Sequence, residues 1–74
     1  MTRLPSLTGE QVVKALGKAG FQALRRRGSH VYLKHPDGRA SVVPVHKGES
    51  LGRGLLRKIM QDADLSREEF LKLL

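Results

Sequence analysis

The chain contains no cysteine and no tryptophan, only one tyrosine, and only three histidines. Without cysteine it can build neither a disulfide framework nor a thiolate zinc site, and a reducing compartment would suit it. No stretch approaches the roughly 18 apolar residues of a transmembrane helix, and the opening MTRLPSLTGEQ lacks the apolar core of a signal peptide. These absences predict a soluble, cytoplasmic protein. The chain is also short, 74 residues read as one domain over 1–74, and a domain of that size buries only roughly 60% of its unfolded surface. That leaves little room for an enclosed cofactor, so neither a cofactor nor a metal is expected. Acidic residues are scarce as well, with 7 Asp and Glu against 14 Lys and Arg.

The resulting charge of +7 is unevenly placed. Between residues 25 and 58 stand Arg25, Arg26, Arg27, Lys34, Arg39, Lys47, Arg53, Arg57 and Lys58 against Asp37 and Glu49; Arg3, Lys14, Lys18, Arg67 and Lys72 are cancelled by five carboxylates elsewhere. The whole excess therefore falls on the middle of the chain, where phosphate-bearing or strongly acidic partners are the natural counterpart.

Thr8 with Gln11 makes a capping box, and Val12, Val13, Leu16 and Ala19 recur at helical spacing before Gly20, predicting a helix over 9–19. Residues 21–27 turn strand-like, Gly28 breaks the run, and 30–35 alternates with period two. Pro36-Asp37-Gly38-Arg39 has turn chemistry, so 40–46 pairs back as a hairpin, with Pro44 confining that strand to the sheet edge. A glycine-rich basic loop, KGESLGRG, leads into a second helix over 53–63, with Leu55, Leu56, Ile59, Met60 and Ala63 on one face. Ser66 and Glu69 cap a short last helix whose Phe70, Leu73 and Leu74 could complete the core. The lead-in MTRLPSL either packs against the sheet or stays outside the fold.

The order is α-β-β-β-α with a short C-terminal helix, an α+β class in which both helices cover one face of a three-stranded antiparallel sheet. Alternation sends Val31 and Leu33 toward the helices and leaves His30, Tyr32 and Lys34 on the open face, with Val42, Pro44 and His46 beside them if Val43 and Val45 point inward. It also sends Arg25 and Arg27 to one face and Arg26 to the other, and puts His30 and His35 on opposite faces, which argues against a histidine metal site.

A histidine among cations suits phosphodiester cleavage in RNA, since the 2′-hydroxyl needs a proton acceptor and the phosphorane needs positive charge. Tyr32 could stack on a base and Lys34 hold a phosphate. His46 could assist or simply bond backbone, and His35 reads as a strand-end residue. The KGESLGRG loop resembles an anion cradle but lacks Walker spacing. From the residues alone, a catalyst, a non-catalytic RNA-binding module and a domain that binds an acidic protein all remain open.

The motifs Gly20-Phe21, Arg27-Gly28-Ser29-His30, Lys34-His35-Pro36-Asp37-Gly38 and Val43-Pro44-Val45-His46, followed by Leu55-Leu56-Arg57-Lys58-Ile59-Met60, resemble the HicA family of toxins in order and spacing. The resemblance implies a double-stranded-RNA-binding-domain-like fold and a metal-independent endoribonuclease that cleaves mRNA and is neutralised by a HicB antitoxin covering the active site. It carries the catalytic role to His30, with Gly28 and Ser29 as the motif's flanking residues. Arg25, Arg27, Tyr32, Lys34, His46 and Lys47 are the supporting RNA-binding set. The group that protonates the leaving 5′-oxygen stays open among Lys34, Tyr32, His46 and a water.

Overall fold

A computed structural model describes residues 4–74 of the chain. Its elements are α1 (Gly9–Lys18), β1 (Gln22–Arg27), β2 (His30–Lys34), β3 (Ala40–Pro44), α2 (Arg53–Asp62) and α3 (Arg67–Leu71). The three strands form one antiparallel sheet in the order β1-β2-β3. The α-β-β-β-α order and the short final helix follow the sequence pattern.

α1 is bounded at both ends by local chemistry. The Gln11 N–H donates to the Thr8 hydroxyl and the Thr8 N–H donates to Gln11 Oε1 at 2.9 Å, a complete capping box. At the other end the N–H groups of Gly20 and Phe21 donate to the carbonyls of Gly17 and Leu16, with Gly20 at φ +101°. This is the left-handed stop that a glycine supplies. Thr8→Ala is expected to lower stability by about 1 kcal/mol, read as a lower urea midpoint at unchanged m-value.

The apolar stripe of α1 (Val12, Ala15, Leu16) meets Val31, Leu33 and Val43 from the sheet and Leu56, Ile59 and Met60 from α2. Phe70 of α3 closes this core and is fully buried. The lead-in packs: Leu7 is buried, its carbonyl accepts from the Leu51 N–H at 2.7 Å, and Thr8 bridges Ser50. Met1 to Arg3 lie outside the described residues.

Several expectations need correction. Leu55 and Leu74 are 37% and 47% exposed, so neither belongs to the core. β2 ends at Lys34 and β3 at Pro44, shorter than the pattern suggested; beyond them only single bonds in the same register continue the pairing, from the His35 N–H to the Arg39 carbonyl and from the Val45 N–H to the Ser29 carbonyl. The helices do not cover the whole sheet: every residue of β1 is exposed, and the buried strand positions all lie on β2 and β3. A strand ending in three arginines cannot sit beneath a helix without stranding charge in the core.

Candidate active site

The Gly28-Ser29 pair forms a two-residue hairpin loop, since Arg27 and His30 are directly paired across it. Gly28 has φ +60° and Ser29 has no positive φ, the arrangement of the turns that place glycine first. The Val45 N–H donates to the Ser29 carbonyl and ties this loop to the chain leaving β3. The glycine-serine step thus sets His30 at the first position of β2.

Register defines what surrounds it. Arg27 on β1 and Pro44 on β3 flank His30, Arg25 and Val42 flank Tyr32, and Gln22 and Ala40 flank Lys34. Directly opposed residues share a face, with Cβ atoms about 5 Å apart. His30, Tyr32, Lys34, Arg25 and Arg27 therefore occupy one open face, and His30 is exposed on it. The Arg25 guanidinium lies 4.8 Å from the centre of the Tyr32 ring.

This grouping depends on a feature that alternation does not contain. The pairing slips between Ala23 and Arg25, leaving Leu24 as an extra residue in β1. Counting inward from Ala23, opposite buried Leu33, would have put Arg25 and Arg27 on the helix side. The bulge reverses the phase and brings both arginines round to His30.

Other sequence candidates sit apart from this row. His46 and Lys47 are exposed beyond the end of β3, and the His46 carbonyl accepts from the Glu49 N–H at 3.0 Å. His35 belongs to the turn: its Nδ1 lies 3.0 Å from Asp37 Oδ1, and its ring stands edge-on to Phe21 at 5.2 Å. A Cβ on Gly20 would come within 2.8 Å of His35 Nε2, so the ring is fitted against that glycine.

Nor does all the mid-chain charge surround His30. Arg39 braces the fold: it lies over the Phe21 ring, pairs with Asp37 at 2.8 Å and donates to the Ala63 carbonyl just after α2. Arg53, Arg57 and Lys58 project from α2. The Arg39 N–H, donating to the Asp37 carboxylate, holds that group below the ordinary carboxylate range; desolvation opposes this, and the Arg39 side chain and His35 add to the lowering. A depressed carboxyl contributes stability above its unfolded pKa and loses it as pH falls through the folded value. The urea midpoint should therefore drop below about pH 4, and Asp37→Asn should flatten that drop.

A groove of about 460 Å³ that does not include His30 is lined by Leu24, Arg25, Tyr32, Lys34 and Val42 and, from the helix side, by Ser41, Lys58 and Asp62. Sequence reading placed Val42 on the open face but did not single out Leu24 or Lys58, because only strand pairing and helix docking bring them together. Among the described residues no three His, Asp or Glu side chains are placed to share a metal ion, and no helix is long and apolar enough to cross a membrane.

No curated protein matches the chain. A family model does, that of the HicA toxin of bacterial toxin–antitoxin systems, over residues 9–65, which run from the first residue of α1 past the end of α2 and include the whole sheet. The α+β architecture agrees with it, and the match covers well over half of the 74 residues; the chain belongs to the HicA toxin family, and a cognate antitoxin is the partner that membership implies.

Proposed function

We propose that this protein is a metal-independent endoribonuclease, the mRNA-cleaving half of a toxin–antitoxin pair, with His30 as general acid or base. The observation that carries the reading is the register: His30 stands on an open sheet face, directly across from Arg27 and in line with Tyr32 and Lys34. Membership of the HicA family supports it.

In the reaction, the RNA 2′-hydroxyl loses its proton and attacks the adjacent phosphorus. The bond to the 5′-oxygen breaks, and that oxygen takes up a proton. The products are a 2′,3′-cyclic phosphate and a 5′-hydroxyl. Arg27, Arg25 and Lys34 lie where cations would offset the extra negative charge of the pentacoordinate phosphorane. His30 serves one of the two proton transfers; Lys34, Tyr32, His46 or a water serves the other. A HicB-type antitoxin would silence the enzyme by covering this face.

The test is incubation with a long single-stranded RNA in EDTA, followed by analysis of the ends. Cyclic phosphate and 5′-hydroxyl termini are expected, and a strand with one 2′-deoxy residue at a cleavage site should resist there. Salt-sensitive RNA binding without any cleavage would instead identify a non-catalytic binding module.

A further inference from the structure

The groove lined by Arg25 and Tyr32 has features that proton transfer does not use. The bulge that turns Arg25 outward also expels Leu24, which is 62% exposed, and across the sheet Val42 is 37% exposed. Two aliphatic side chains thus flank the Arg25–Tyr32 stack on a wet surface. The groove's volume of about 460 Å³ falls within the range of small-molecule sites, about 300–1,000 Å³.

Its rim is cationic. Arg25, Lys34 and Lys58 contribute positive charge. The one carboxylate there, Asp62, is engaged by Lys58 at 3.3 Å and by the Ser41 hydroxyl at 3.1 Å. An apolar floor with an aromatic plane and a basic rim is the combination that holds an unstacked base by its face and the neighbouring phosphates by their charge. A duplex hides its base faces and cannot use such a floor.

We infer that the Leu24–Arg25–Tyr32–Val42 groove is a base-binding subsite that takes one unpaired nucleotide next to the phosphate at His30. This rests on the ribonuclease reading of the same face and adds that the substrate is recognised through an unstacked base, not through its backbone alone.

The chain offers a direct probe, because Tyr32 is its only tyrosine and tryptophan is absent. The binding partners are a short single-stranded 2′-O-methyl RNA, which lacks the attacking hydroxyl, an abasic oligomer of equal length, the matching duplex, and poly-glutamate. Affinity and the Tyr32 ring proton resonances are read for each. The base-bearing single strand should bind roughly tenfold or more tighter than the abasic one and alone shift the ring resonances. Tyr32→Ala and the surface change Leu24→Ser should both erase that difference, with melting curves showing both variants folded.

Equal affinity for the base-bearing and abasic strands would overturn the subsite, as would an equal ring shift with the duplex. The same ring shift with poly-glutamate would assign the groove to an acidic protein instead. The two readings fail separately. Cleavage without base dependence removes the subsite and keeps the nuclease; base dependence without cleavage does the reverse.

Discussion

His30→Ala should lower the rate of RNA cleavage by roughly 10²–10⁴-fold, the range of one positioned general acid or base, while leaving RNA affinity nearly unchanged. The fold should barely notice, since the His30 side chain is exposed and makes no hydrogen bond or ion pair among the described residues; surface changes of this kind stay within about 0.5 kcal/mol. A loss of rate with an intact melting curve therefore reports chemistry. Arg27→Ala provides the contrast. It removes charge from the same row without removing a proton carrier, so binding should weaken and its salt dependence become shallower. The decisive comparison is single-turnover cleavage by both variants at saturating RNA. Persistence of wild-type cleavage in His30→Ala would remove this residue from the mechanism. His35→Ala should keep the cleavage rate, because that ring is committed to the Asp37 turn and to Phe21.

Gly9→Ala should be the most damaging small substitution for stability. Gly9 is the first residue of α1 and is buried, and a Cβ there would strike the Pro44 carbonyl oxygen and lie 2.9 Å from Val45 Cα. Both obstacles are backbone, so no rotamer change relieves them. The helix must lift from the end of β3, disturbing the seam where Leu7, Val12 and Val45 pack. Overpacking of this sort costs about 1–3 kcal/mol, which exceeds the roughly 1 kcal/mol that alanine gains over glycine in a helix. For a domain of this size the net loss should lower Tm by several degrees, at roughly 4–8 °C per kcal/mol. Gly17 is the internal control. It lies in the same helix, and a Cβ there meets nothing within 4 Å. Gly17→Ala should raise stability by about 0.5–1 kcal/mol, so the two substitutions should move Tm in opposite directions. Matching shifts would show that the close approach at Gly9 does not govern stability.

What was legible in the sequence shares one property: each signal is set by residues a few positions apart. The capping boxes at Thr8 and Ser66, the glycine stop at Gly20 and the turns at Gly28 and Gly38 all act through nearby backbone groups. Alternation along β2 similarly fixed which of its side chains face the core, because the pleat has period two and one face must be buried. From these came the order of elements and the open face that holds His30.

The tertiary structure decided the rest, for a reason of range. Which arginines join His30 depends on a bulge at Leu24, and a bulge exists only relative to a partner strand. Arg39 looked like one more cation, until the docking of α2 gave it a carbonyl to hold at Ala63. Gly9 looked like an ordinary helix residue, until β3 passed close enough to exclude a methyl group. The sequence determined by itself that a histidine would stand on a wet basic strand. The pairing of that strand with its neighbours, which no local energy encodes, decided which cations and which groove stand beside it.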